Sequence, residues 1–323
     1  MKKNSFIVKV AGGATAQCLG LMCAIYVRNR RHQEFKIKYF PYSTGTYWPF
    51  QINFLLENVE ISDLNCGTKG LDELSNVEYG KVISGHPLSR KGPNYEKTLV
   101  LFRKLRIEST LQMIRGQRII GGNEKVLDKV NRLTRTISGG FPPINDKEVF
   151  EEMDTRFRKS GRMSPFSKSQ GSKFKDYVVV HLRMGDKRLS FTNPADFGGD
   201  GIIDPAIFLE VLNEHPAFKG YEIFIVSDEP EAAKELLSTV GINAQLNPIK
   251  GDIWDDLYFI SQSTLFIGSW SQVSQLAAAC VINNGGKAFY PSTTHNNRKI
   301  AWSLGGLNFY EPKFLSRDHP IYG

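Results

Sequence analysis

The chain is predicted to be an α/β protein built of two Rossmann-like domains, each with a parallel sheet. Three observations carry this reading. The chain opens on a strand, a glycine turn and a helix. Strands and helices alternate through its second half. Its 323 residues suit two domains at roughly 150 residues each. Alternating strands and helices imply parallel strands with helices on both faces.

Residues 6–10 (FIVKV) are β-branched and alternating, as strands are. Gly12, Gly13, Ala14 and Thr15 read as a tight turn. Between Gln17 and Arg31, Leu21, Ala24, Ile25 and Val27 recur close to helical spacing. Residues 40–95 fall into short apolar pieces between Gly, Asn, Pro and Ser, and are expected to hold loops, short strands and one or two helices. Helices are predicted over 95–115, 126–133 and 147–157. A breaker cluster, with Gly139-Gly140 and Pro142-Pro143, fills 134–143. Residues 159–175, rich in Ser, Lys and Gly, read as an exposed linker. The domains are accordingly placed at 1–165 and 166–323.

The second half is more legible. Residues 177–182 (YVVVHL) form the near-continuous apolar run of a buried parallel strand. Asp204 and Pro205 are an N-cap and a first helical residue, followed by Phe208, Val211 and Leu212 on one face. Residues 221–226 (YEIFIV) are the next strand. Pro230 opens a helix with Ala233, Leu236, Leu237 and Val240 inward, and Gly241 stops it. A strand over 264–268, a helix over 273–281 and a strand over 287–290 complete the pattern.

Bulk composition narrows the function. The chain is 41% hydrophobic and 23% charged, ordinary for a globular protein. Its net charge of +8 and pI near 9.2 favour anionic partners: phosphates, nucleic acid, acidic glycans or a membrane surface. The basic residues are dispersed, with only a short run at 28–31. No stripe of bases and aromatics suits single-stranded nucleic acid, which is not an expected partner. Cys18, Cys23, Cys66 and Cys280 form no C-x-x-C pair and no zinc-finger spacing. They read as buried thiols of a reducing compartment. Lys9 and Gly12-Gly13 interrupt the apolar start, against a signal peptide. No run of about 20 apolar residues exists to span a membrane. A cytoplasmic protein without a transmembrane segment is expected, with peripheral membrane contact left open.

In open α/β sheets, ligands bind beyond the carboxyl ends of the strands, so polar residues at those ends are the candidates. Strand 177–182 runs into His181, Arg183, Gly185, Asp186 and Lys187. Strand 221–226 runs into Ser227, Asp228 and Glu229. Strand 264–268 runs into Ser269, Trp270, Ser271 and Gln272 at the start of a helix. Exposed N–H groups at such a turn make an anion site, and Arg183 could add a bidentate fork to the same phosphate. Two anion-binding devices on one sheet edge suit a pyrophosphate. Each residue has a plainer alternative. Arg183 could pair with Asp186, Asp228 could cap the following helix, Ser271 could be an ordinary N-cap, and His181 a packing histidine.

These segments resemble a known family. His181-Leu182-Arg183-Met184-Gly185-Asp186 resembles the H-x-R-R-G-D motif of GDP-fucose-dependent fucosyltransferases, the superfamily of the α-1,2-, α-1,6- and protein O-fucosyltransferases. Residues 224–230 (FIVSDEP) resemble its next block, and Asp255-Asp256-Leu257 through the 268–273 segment (GSWSQV) its third. Gly12-Gly13 with Gln17 is similar to the G-G-x-G-N-Q loop of the α-1,2 branch, which is favoured, although S-x-Q-V leans towards the α-1,6 branch. Two departures stand out: Met184 replaces the family's second Arg, and the loop at 12–17 lacks its third Gly and its Asn.

The resemblance implies a GT-B architecture, two Rossmann-like domains facing across a cleft. It implies inverting transfer of fucose from GDP-fucose, a donor substrate rather than a cofactor, to a glycan hydroxyl, with no bound metal. Arg183 would contact the β-phosphate, and Arg183 and Asp186 would be catalytic. His181, Asp228, Asp256, Ser269, Ser271 and Gln272 would bind donor, with Gly12, Gly13 and Gln17 in the N-terminal loop. A general base is not evident; Asp196, Asp200 and His86 are candidates from loops. Alternatives are another nucleotide sugar, a non-catalytic nucleotide-binding module, which Met184 and the altered N-terminal loop motivate, and a basic nucleic-acid binder with strongly salt-dependent affinity. A dinucleotide-dependent oxidoreductase is disfavoured, because Gly12-Gly13 does not continue into G-x-G-x-x-G.

Overall fold

A computed structural model describes residues 6–11, 13–32, 34–40, 42–43, 46–47, 49–56, 60–61, 136–138, 146–169, 176–188, 201–291 and 307–322. The chain divides into two units, Met1–Pro143 and Ile144–Gly323. The helices expected over 95–115 and 126–133 lie outside the described residues.

In the first unit, β1 (Phe6–Ala11) leads through Gly13 into α1 (Ala14–Arg31). Ala14 and Thr15, expected in the turn, are already helical. β2 (Phe35–Phe40) alternates, with Phe35 and Ile37 buried. β3 (Tyr42–Ser43) and β4 (Thr46–Tyr47) form a small antiparallel ribbon. β5 (Glu60–Ile61) and β6 (Thr136–Ser138) complete a parallel sheet in the order β5-β2-β1-β6. β6 lies inside the stretch that Gly139-Gly140 and Pro142-Pro143 mark as a breaker cluster. Those residues follow the strand; they do not prevent it. Helix α1 is buried from Cys18 through Tyr26. It is a core element, not a surface helix with one apolar stripe. Cys18 and Cys23 are therefore buried, and burial pushes the Cys18 thiol well up.

The second unit begins with α2 (Lys147–Lys159). Asp146 caps it by accepting from the Val149 N–H at 3.2 Å, and Arg156, Arg158 and Lys159 complement its C-terminal dipole. Then follow β7 (Tyr177–His181), α3 (Ala206–Glu214), β8 (Glu222–Val226), α4 (Pro230–Thr239) and β9 (Gln245–Leu246). The unit closes with α5 (Ile253–Ser261), β10 (Leu265–Gly268), α6 (Gln272–Asn283), β11 (Lys287–Pro291) and β12 (Leu307–Tyr310). All six strands are parallel, in the order β12-β11-β10-β7-β8-β9. The α/β class with parallel sheets is as predicted; β2, β9, β12 and α5 are additions to the reading.

The sequence places the domain boundary at 165/166, whereas the units meet at Pro143 and Ile144. Segment 146–169 packs within the second unit. Phe157 meets Trp254 edge-on at 5.5 Å, and Asn283 and Asn284 donate to the carbonyls of Phe166 and Pro165. Gln262 accepts from the Ser169 N–H and donates to the Ser167 carbonyl. Serine and lysine content hides these anchors, of which Phe166 is almost fully buried.

β7 sets the rest. Val178, Val180, Leu182 and Met184 all join one hydrophobic cluster with residues of α3 and α4. The period of two that places them there turns His181 and Arg183 to the opposite face. Among the described residues, no helix is long and apolar enough to cross a membrane.

Candidate functional site at the carboxyl rim of the second sheet

From β7 the chain works outward on one side through β8 and β9, then returns to pair β10 with the other side of β7. That reversal is the topological switch point of a doubly wound sheet, where the crevice opens at the carboxyl ends. His181 and Gly268 are register partners across it. The segment carrying Arg183 and the turn into α6 therefore leave the sheet side by side.

Arg183 donates its N–H to the Ser269 hydroxyl at 2.9 Å. The same hydroxyl lies 3.1 Å from His181 Nδ1, and the Ser274 hydroxyl 2.8 Å from it. Gly268 makes this approach available, because a Cβ there would crowd Ser274 Cβ at 2.7 Å. His181 is 3% exposed. Burial, aided by the Arg183 cation and opposed by Asp228, holds its pKa down at about 4. The imidazole is thus neutral at physiological pH, a buried clasp between β7 and the start of α6.

Ser271 is an N-cap, accepting from the Ser274 N–H at 3.0 Å, while its carbonyl accepts from Gln275. The first-turn N–H groups of Gln272 and Val273 have no acceptor within their own helix. Two tyrosines hold the carbonyls of the turn: Tyr310 donates to Gly268 O at 2.6 Å, and Tyr290 to Ser271 O at 3.5 Å. Burial raises both phenols far above their usual range, so they stay donors. Trp270 stacks on Tyr290 with centroids 6.1 Å apart.

Arg183 is half-buried and pairs with Asp228 at 3.1 Å. The expected partner was Asp186, whose backbone lies in the short 3-10 turn Gly185–Arg188 and whose side chain is outside what is described. Asp228 does not cap α4, whose N-cap is Glu229 with no side-chain bond. It accepts from the Met184 N–H at 2.9 Å. Asp256 lies on α5, behind a capping box formed by Asp252 and Asp255. It accepts from Asn247 at 2.7 Å, and burial raises its pKa. Gln272 is exposed at the first position of α6.

The rim thus gathers Arg183, Asp228, Ser269, Ser271, Gln272 and His181, with Ser269 and His181 as its buried support. Gln17 stands apart. It is fully buried in the first unit, its amide donating to Pro49 O and its carbonyl accepting from the Gln51 N–H. Gly13 is the N-cap of α1; Gly12, Asp196, Asp200 and His86 lie outside the described residues. Ser274, Tyr290 and Tyr310 were missed. Ser271 and Ser274 stand three apart, as capping pairs do, which was a readable signal; the tyrosines depend on sheet order. Among the described residues, no group of three or more His, Cys, Asp or Glu side chains could hold a metal ion.

Fold and rim together define a doubly wound α/β unit with an arginine and a helix start converging on its switch point. No protein-family model matches the chain, and no curated protein matches it in sequence. Among solved structures it is similar to POFUT1 in complex with GDP, at 13% identity over 89% of this chain and 97% of that one, with a TM-score of 0.37. The fucosyltransferase NodZ from Bradyrhizobium follows at 11% identity, 85% and 92% coverage and a TM-score of 0.38. The UDP-GlcNAc 2-epimerase from Neisseria meningitidis bound to UDP-GlcNAc is similar at 10% identity, 95% and 88% coverage and a TM-score of 0.38. Likenesses this distant decide nothing about function, which has to be read from the rim itself.

Proposed function

We propose that the chain is a GT-B glycosyltransferase that moves fucose from GDP-fucose to a glycan hydroxyl, with inversion and without a bound metal. One observation carries the reading: Arg183 and the N-terminus of α6 flank the switch point, joined by the bond from the Arg183 N–H to Ser269. A diphosphate placed there would meet a guanidinium on one side and first-turn N–H groups on the other. The fucosyl identity of the donor rests on the resemblance of three ordered segments.

The acceptor oxygen would attack the anomeric carbon as the bond to the β-phosphate oxygen breaks. GDP would leave with the electron pair, and the acceptor proton would pass to a base or to solvent. Negative charge would grow on the GDP, where preorganised donors act most strongly. Arg183 is assigned to that charge, Gln272 and the turn to the pyrophosphate, and Asp256 to the nucleoside side. Met184 and the altered loop at 12–17 point to a non-catalytic alternative. The Met184 side chain belongs to the core cluster, so at the second unit's rim no observation favours that alternative.

A thermal-shift series with GDP, UDP, CDP, dTDP and GDP-fucose tests the donor class, since ligand raises apparent stability by mass action. Stabilisation by GDP and GDP-fucose is expected. Stabilisation by UDP alone would overturn the donor, and none by any nucleotide would overturn the site.

A further inference from the structure

We infer that Asp228 is a positioning residue that sets the Arg183 guanidinium before any ligand arrives. This rests on the nucleoside-diphosphate reading of the rim, and supplies the part that aims its cation. The segment leaving β7 is held by the backbone N–H of each of residues 182–184. Leu182 N–H donates to Val226 O at 3.1 Å, and Leu182 O accepts from the Ser227 hydroxyl at 2.6 Å. Arg183 N–H donates to the Ser269 hydroxyl at 2.9 Å, and Met184 N–H to Asp228 Oδ1 at 2.9 Å. The second carboxylate oxygen of Asp228 lies 3.1 Å from Arg183 Nη1. One carboxylate therefore fixes both the backbone just beyond Arg183 and the tip of its side chain. Gly185 makes room for it, because a Cβ at that position would run into Asp228 Oδ2.

The consequence is preorganisation. A long arginine left to itself loses rotamer freedom on binding, and fixing it beforehand lowers that cost. A guanidinium carries five N–H donors, more than one carboxylate oxygen can take. Asp228 is thus turned towards Arg183, not towards the nucleoside, and acts on the diphosphate through it.

The test uses the whole chain and Asp228→Asn, which keeps an oxygen for the Met184 N–H and turns an amide NH2 to the guanidinium. GDP affinity is expected to fall about tenfold to a hundredfold, with GMP affinity changed less than about twofold. In an Arg183→Ala background, the same substitution should alter GDP affinity less than about twofold, because the two residues act as one. Equal losses for GDP and GMP, or full additivity with Arg183→Ala, would overturn the positioning role. A ligand-free readout separates this from the functional reading: solvent exchange of the Arg183 guanidinium N–H, followed by NMR with labelled arginine. It should quicken in Asp228→Asn. Unchanged exchange overturns the inference even if GDP binds. Quickened exchange in a protein that binds no nucleoside diphosphate upholds it, while the nucleotide reading falls. Should Asp228→Asn not fold, Asp228→Ser keeps a side-chain oxygen while removing the charge. Wild-type exchange and wild-type GDP preference in that variant would overturn the inference equally.

Discussion

The two units share one wiring and differ in what they place at its focus. In each, a first strand, β1 or β7, has the strands that follow it directly in the chain on one side and a later strand, β6 or β10, on the other. Each therefore owns a switch point where a ligand crevice can open. At the first, the described chain offers Gly13, a cap without a side chain, and a first helical turn without an acid. Its nearest large polar residue, Gln17, is turned inward on Pro49 and Gln51. At the second stand an arginine–carboxylate pair, a capped helix start and a neutral buried histidine. Topology supplies the crevice, and side chains decide whether it has chemistry.

The largest effect comes from altering the cation count of the second rim at Met184, where the resembling family carries arginine. Its side chain is fully buried in the cluster around α3 and α4. Met184→Arg would leave an uncompensated charge there, costing about 3–5 kcal/mol, so urea denaturation should show a crippled second unit. A variant of native stability that binds GDP more tightly would return position 184 to the rim. Next is Arg183→Ala, expected to cost about 3–4 kcal/mol of barrier, or 10²–10³ in the rate of the proposed transfer. Thermal stability should barely change, since the Arg183–Asp228 pair is partly exposed. Arg183→Lys should recover little, because the fork is lost. An active Arg183→Ala enzyme would make the two switch points chemically alike.

Met184 also shows how far the sequence could be read. Residues 177–182 announced a buried strand, and the period of two along Val178, Val180, Leu182 and Met184 places the last of them in the core. The family motif marks position 184 by its missing charge, whereas the period of two marks it as core. The parallel strands, the helix starts at Pro230 and Gln272, and the crowded polar ends of β7, β8 and β10 were legible because they are local. Sheet order was not, since it depends on pairings far apart in the chain. With it were hidden the Arg183–Asp228 pair, 45 residues apart, and the tyrosines on the turn into α6. Residues 159–175 read as a linker because composition does not show what Phe166 packs against.

A smaller effect concerns acid. Folding lowers the His181 pKa from 6.5 to about 4. Between those values the unfolded chain binds a proton that the folded chain refuses, so acid favours unfolding. The stabilisation is fully present above pH 6.5 and is lost as pH falls towards about 4, amounting to about 3 kcal/mol at roughly 1.36 kcal/mol per pH unit. Urea midpoints followed by tryptophan fluorescence should decline through that window, and His181→Gln should flatten the slope. An identical slope in His181→Gln would move the acid sensitivity to another group and deprive the second rim of its buried clasp.

The smallest effect asks whether the first unit's polar residue is truly scaffold. Gln17 resembles a ligand-loop residue by sequence, yet both ends of its amide are engaged, at 2.8 Å to Pro49 O and 2.9 Å from Gln51 N. Gln17→Ala removes two hydrogen bonds, to the Pro49 carbonyl and the Gln51 N–H, at a cost of about 1–3 kcal/mol in all. The expected phenotype is a lower melting temperature with GDP affinity unchanged, because the groups assigned to GDP belong to the second unit. The informative opposite is a variant that melts like the parent but no longer transfers fucose. It would mean that the amide reaches substrate during turnover, and that the first switch point carries chemistry its resting hydrogen bonds conceal.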